Sequence, residues 1–82
     1  MIKIEKLLNV TTKAVEEINV LLPQISSSGA KVTYASLLEI IKDNASVVLV
    51  LRDGGVIVGV GILVMFHDLG GKRGRLEDIV VD

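Results

Sequence analysis

The chain has no cysteine and no tryptophan, one proline, one histidine, and only Tyr34 and Phe66 as aromatic residues. Without cysteine there are no disulfides, no thiolate metal sites and no cysteine nucleophile. Two aromatics leave little on which nucleic-acid bases could stack. A formal charge of −1 and a pI near 5.7 provide no basic field for nucleic acid or an anionic membrane. The longest apolar run, residues 56–66, is too short for a membrane-spanning helix, which needs about 20 residues. The opening Met1-Ile2-Lys3-Ile4-Glu5-Lys6 alternates charged and apolar residues and is no signal-peptide core. A soluble, cytoplasmic protein with no nucleic-acid or membrane partner is the expectation.

What is present is aliphatic. Half of the 82 residues are apolar, so the core must be built from Val, Ile and Leu, of which the β-branched residues favour strands. The length allows one small domain, which buries only about 60–65% of the surface of its unfolded chain.

Ile2 and Ile4 alternate with Lys3 and Glu5, the period of a half-buried strand. Asn9-Val10-Thr11-Thr12 offers capping side chains before Ala14, Val15, Ile18, Leu21, Leu22 and Ile25, which recur at helical spacing. Glu16, Glu17 and Asn19 take the opposite face, and Pro23 ends the regular helix. Ser26-Ser27-Ser28-Gly29 is a polar loop. Thr33 can cap a second helix with a stripe of Tyr34, Leu37, Leu38 and Ile41, closed by Asp43-Asn44, where Asn44 is able to take the left-handed conformation.

The second half is β. Residues 47–51 are apolar on both faces, as in an interior strand. Asp53-Gly54-Gly55 marks a tight hairpin. Strict alternation in the next strand puts Val56, Val58, Val60, Ile62, Val64 and Phe66 on one face, with Ile57, Gly59, Gly61, Leu63 and Met65 on the other. Two glycines on one face indicate a bulge or the close approach of another element. Residues 68–74 form a second hairpin connection and residues 75–81 the last strand. The fold class is α+β with the order β-α-α-β-β-β, a mainly antiparallel sheet with two helices.

Three groups carry potential chemistry. Glu77 and Asp78 are adjacent in a strand and so point to opposite faces unless a bulge intervenes. They are either a functional carboxylate pair or ion-pair partners of Arg73 and Arg75. Lys72-Arg73-Gly74-Arg75 is either an anion site or a solvated hairpin tip. His67 has no acidic or serine partner in sequence and reads as a strand-end surface residue; no metal site is indicated.

The element order, together with Val47-Val48-Leu49-Val50, Gly54-Gly55-Val56-Ile57-Val58-Gly59-Val60-Gly61 and Arg73-Gly74-Arg75-Leu76-Glu77-Asp78-Ile79-Val80-Val81-Asp82, resembles the first half of GNAT-type N-acetyltransferases. The last segment is most similar to glucosamine-phosphate and related small-amine acetyltransferases. The resemblance implies transfer of an acetyl group from acetyl-CoA to a primary amine on a small molecule. By that resemblance the backbone N–H groups of Ile79, Val80 and Val81 hold the pantetheine arm and polarise the thioester carbonyl. Glu77 is the favoured base or water-positioning residue, with Asp78 the alternative. Loops around the two helices shape the acceptor site, which makes Ser26, Ser27 and Ser28 candidates beside their plain reading as a connector.

The sequence stops at Asp82, where the family continues into an Arg/Gln-x-x-Gly-x-Gly turn that grips coenzyme A phosphates. The resemblance thus implies a partial domain over residues 1–82, catalytically incompetent alone because it lacks that turn and the strands and helices after it. A natural short protein, a gene remnant and a truncated chain all fit. A rival reading is a non-enzymatic module that recruits a partner or a copy of itself through an exposed strand edge. An apolar final strand without a neighbour implies a homodimer or larger homo-oligomer.

Overall fold

In the computed structural model, residues 2–25, 29 and 31–82 are described. Strand β1 (Ile2–Lys6) leads into helix α1 (Thr12–Leu21), a single 3-10 turn (Leu22–Gln24) and helix α2 (Tyr34–Lys42). Strands β2 (Ser46–Asp53), β3 (Val56–Asp68) and β4 (Gly71–Val81) complete the chain. The four strands form one antiparallel sheet in the order β1-β2-β3-β4. The β-α-α-β-β-β order read from the sequence is the order observed.

Both helices start where threonine side chains can take up free backbone amides. The Thr11 hydroxyl accepts from the Ala14 N–H (3.0 Å). Thr33 and Ser36 form a reciprocal pair, each side chain accepting from the other's backbone N–H (2.9 and 3.0 Å). Helix α1 gives way to the 3-10 turn that contains Pro23, as a residue without an N–H dictates. The left-handed conformation open to Asn44 is not used. Among the described residues the non-glycine with positive φ is Asp78. Helix α2 instead stops through Asp43, whose carboxylate accepts from the Ala45 N–H (2.9 Å) and the Ser46 hydroxyl (3.1 Å). That side-chain turn removes the need for a left-handed residue.

The helices cover one face of the sheet. Ala14, Ile18 and Leu21 of α1 and Leu37 of α2 are buried together with Val48, Val50, Ile57 and Val80 of the strands. Registers Val48 to Ile62, Val50 to Val60 and Val60 to Val80 carry this side across three strands. Among the described residues no helix lies on the other face. Ile4, Leu51, Gly59 and Val81 lie in one cross-strand row, and Ile4 and Val81 are 75% and 59% exposed.

The two β3 glycines fall beside the two breaks in register, in keeping with their placement on one face. Between β2 and β3 the register shifts at Leu51/Arg52, so that Arg52 pairs with Ile57 and Val58 is the extra residue. Strict alternation had put Ile57 with the glycines. The bulge turns it into the helix-covered core, where it is 3% exposed. The second hairpin is also tighter than expected: β3 runs to Asp68 and β4 starts at Gly71, leaving Leu69-Gly70 as the turn. Asp68 closes it, accepting from the Gly70 N–H (2.7 Å) and pairing with Arg73.

Candidate functional site

The site is built around the second bulge. Val60 pairs with Val80 and Ile62 with Glu77, so Asp78 and Ile79 together stand against Gly61. Asp78 reaches this arrangement with φ of 52°, left-handed backbone that Asp tolerates better than most residues because its short side chain bonds locally. A Cβ built on Gly61 would lie 3.5 Å from Ile79 Cγ1, ordinary contact. The glycine therefore leaves room for the bulge without being forced by it.

The extra residue cancels the alternation that separates neighbouring side chains. Glu77 pairs with Ile62 on the helix side, and Asp78 lines a cleft on that same side. Ile79 falls on the open face. Adjacent strand residues would otherwise diverge, but with the bulge between them both acids lie on the side of the helices. Glu77 forms an ion pair with Arg75 (2.6 Å), and the Arg75 guanidinium sits 6.0 Å from the Phe66 ring centre. Glu77 thus has an ion-pair partner two residues away on its own strand.

The cleft has a volume of about 140 Å³ between the helices and the sheet. Ile18, Leu37, Val48, Val60 and Ile62 form its walls, and among the described residues lining it Asp78 is the ionisable one. Ile25 and Val32 border it from either side of the serine segment. Val32 is held by a paired contact: its N–H donates to Asn19 Oδ1 (2.8 Å) and its carbonyl accepts from Asn19 Nδ2 (2.9 Å). Asn19 thereby serves the chain as a β-strand neighbour would, pinning the start of α2 to α1. Sequence spacing placed Asn19 on the outer face of the helix and gave no sign of this clamp. Ser26, Ser27 and Ser28 lie outside the described residues.

Strand β4 is the last strand of the sheet. The Asp82 N–H donates to the Val58 carbonyl (2.8 Å), so alternation turns the Val80 amide toward β3 as well and the Val81 amide toward the outer edge. Ile79, inside the bulge, is outside the ladder register. Of the three amides singled out in sequence, Val80's is committed to the sheet, and its side chain is 8% exposed within the core. His67 is exposed near the end of β3. Arg73 and Arg75 are paired to acids, which leaves Lys72 at the exposed tip. Among the described residues no group of three or more His, Asp or Glu is placed to hold a metal ion. None of the described helices is long and apolar enough to cross a membrane.

No protein-family model and no curated protein matches the chain. Solved structures do. Glucosamine-6-phosphate N-acetyltransferase from Arabidopsis thaliana superposes with a TM-score of 0.75 at 27% identity, covering 100% of this chain and 60% of that one. An acetyltransferase from Trypanosoma brucei gives 0.74 at 22% identity, covering 100% of this chain and 61% of that one.

The fold is the N-terminal part of the GNAT fold.

The chain spans about 60% of the length of these two acetyltransferases. All seven elements, the helix pair and the bulged β4 included, lie within the matched region, since the match covers the whole chain. The GNAT-like frame therefore contains both the Asp78 cleft and the outer edge of β4.

Proposed function

We propose that this chain supplies the acceptor side and the β4 edge of an acetyl-CoA-dependent N-acetyltransferase acting on a primary amine. The observation that carries this reading is the bulge at Asp78–Ile79. It sets a carboxylate on the helix-side cleft, in the strand whose outer edge has no neighbour in the sheet. The two acetyltransferase neighbours support it.

Acetyl-CoA, when bound, supplies an acetyl group on a thioester carbonyl. The residues present fit part of that molecule: the outward Val81 amide and the Ile79 amide in the bulge are donors suited to an amide-bearing arm or a carbonyl oxygen. Asp78 attracts the ammonium of an amine and orients it, and it or a water it holds accepts the proton that the amine must lose before it can attack. Of the two acids Asp78 is the better placed, because Glu77 is engaged by Arg75. Asp78 itself is exposed at the mouth of the cleft, so its contact with an ammonium is made in the presence of solvent.

Nothing in the 82 residues matches the Arg/Gln-x-x-Gly-x-Gly turn, so the chain by itself binds acetyl-CoA weakly and is inactive. Amide NMR during an acetyl-CoA titration tests this. Expected are millimolar-range shifts confined to Ile79, Val81 and their neighbours, with no turnover of added amines. Unmoved β4 amides at saturating coenzyme would overturn the acetyl-CoA role; micromolar affinity with turnover would overturn the inactivity.

A second reading, self-association, is favoured by one observation. Leu76, Ile79 and Val81 are 52%, 58% and 59% exposed on the strand that also offers an unpaired edge. In that reading two copies pair β4 to β4, the simplest closed arrangement.

A further inference from the structure

We infer that the acceptor bound in the helix-side cleft is an aliphatic or arylalkyl primary amine, its ammonium on Asp78 and its body among the aliphatic walls. The inference rests on the acetyltransferase reading for the fate of the amine, but not for its binding.

The size of the cleft comes first. At about 140 Å³ it is similar in size to the engineered aliphatic cavity of about 150 Å³ that takes up benzene, but it opens to solvent where Asp78 is exposed. A body of about six carbons fills such a space. Its walls come from Ile18, Leu37, Val48, Val60 and Ile62, five side chains without a hydrogen-bonding atom. A sugar ring placed among them would leave its hydroxyls unpaired, which disfavours binding.

Charge points the same way. Among the described residues no Lys, Arg or His lines the cleft. The two arginines of β4 are engaged by Asp68 and Glu77. A phosphorylated acceptor, such as the name of the Arabidopsis neighbour implies for that enzyme, would bring its dianion toward the Asp78 carboxylate with no cation in the walls to offset the repulsion. An ammonium meets an opposite charge instead. The fold is shared with that neighbour, whereas the chemistry of this cleft matches a different acceptor.

The cleft is also held in place from several sides. Helix α1, the 3-10 turn, α2 and three strands contribute to it, and the paired contact between Asn19 and Val32 fixes the border on the α2 side of the serine segment. Such a preformed site favours a ligand that matches it over one that must reshape it.

Methyl-detected NMR of the 82-residue chain tests the assignment, with three probes added separately: hexylamine, hexan-1-ol and glucosamine 6-phosphate. Hexylamine is expected to shift the methyls of Ile18, Leu37, Val60 and Ile62. Hexanol should shift the same methyls with about three- to fivefold weaker affinity, the loss expected on removing an ion pair with an exposed carboxylate. Glucosamine 6-phosphate should leave them unmoved. Asp78→Asn, which keeps the left-handed backbone accessible, should lower hexylamine affinity to that of hexanol. Leu22→Phe should fill the cleft and abolish both responses; if that variant fails to fold, Asp78→Asn still decides.

Unmoved methyls with hexylamine, equal binding of amine and alcohol, or a stronger response to the sugar phosphate would each overturn the inference. Acetyl-CoA shifts at the β4 edge, recorded on the same samples, report on the acetyltransferase reading separately. If they persist while hexylamine fails, the acceptor class is wrong and the enzyme reading stands. If hexylamine binds and they are absent, the reverse holds.

Discussion

The same strands present two very different faces. Val48, Val50 and Val80 point toward the helices and are 3%, 1% and 8% exposed. The residues on either side of Val80 point the other way: Ile79 and Val81 are 58% and 59% exposed, although they are just as apolar. Composition cannot tell the two sides apart. Only the helix face has a partner with matching spacing, α1 and α2, and stability must come mainly from there. The open face contributes little to the fold of the isolated chain and leaves its apolar surface available for another copy or another segment.

The largest expected effect breaks this asymmetry at its centre. Leu21, the last residue of α1, is 2% exposed, and Leu21→Ala should cost about 2–5 kcal/mol. A domain of this size has only about 4–12 kcal/mol in total, so the variant should be close to unfolding in thermal or urea melts. Ile79→Lys, on the open face, should change monomer stability by less than about 1 kcal/mol. If copies associate through that face, the same substitution should return the mass measured by light scattering to that of a monomer. Equal destabilisation by the two changes would show that the open face is covered in solution. A wild-type chain that stays monomeric through a concentration series would rule out the self-associating reading.

A finer contrast lies within one strand. A Cβ on Gly59 would meet Leu51 Cβ at 3.1 Å, the Val80 carbonyl at 3.2 Å and Val81 Cγ2 at 3.3 Å. Two of those neighbours are fixed close to the backbone, so Gly59→Ala should cost about 1–3 kcal/mol. Gly61→Ala meets nothing nearer than 3.5 Å and should stay within about 0.5 kcal/mol of the parent. Denaturant melts of the pair separate glycine needed for close approach from glycine that merely accompanies a bulge. If Gly61→Ala is the more damaging, the bulge at Asp78 depends on an unencumbered partner and the assignment of roles is reversed.

These contrasts also show what could be read from the chain and what could not. Thr33 and the capping residues within 9–12 announced both helix starts, because a capping side chain acts on amides two or three residues away and needs no tertiary knowledge. The structure picks Thr11 from that group. Gly59 and Gly61 announced the irregular sheet, because a side-chain-free pair on one face has few other uses. The position of the acids was not legible. Adjacent strand residues are separated by parity, and one extra residue reverses every assignment beyond it, as it also did for Ile57. The left-handed backbone that makes room for that residue is at Asp78, where no glycine marked it. The Asn19 clamp was hidden for a different reason: its partner lies 13 residues away, and only the packing of α2 on α1 brings the two together.

The smallest expected effect concerns Glu77, and it decides which acid the fold has equipped for chemistry. Its ion pair with Arg75 is short at 2.6 Å, but the two side chains are 44% and 68% exposed. Solvent screens a pair of this kind, and such pairs typically contribute less than about 1 kcal/mol. Glu77→Gln should therefore leave the melting temperature within about 4 °C of the parent. It should leave hexylamine binding unchanged, because Glu77 does not line the cleft whereas Asp78 does. Asp78→Asn should do the opposite, with little change in stability and most of the amine affinity gone. The two variants differ from the parent by the same loss of one negative charge, so a nonspecific electrostatic effect would move both alike. A larger loss of amine binding in Glu77→Gln than in Asp78→Asn would return the role to Glu77, the acid the sequence favoured, and would require Arg75 to release it when the amine arrives.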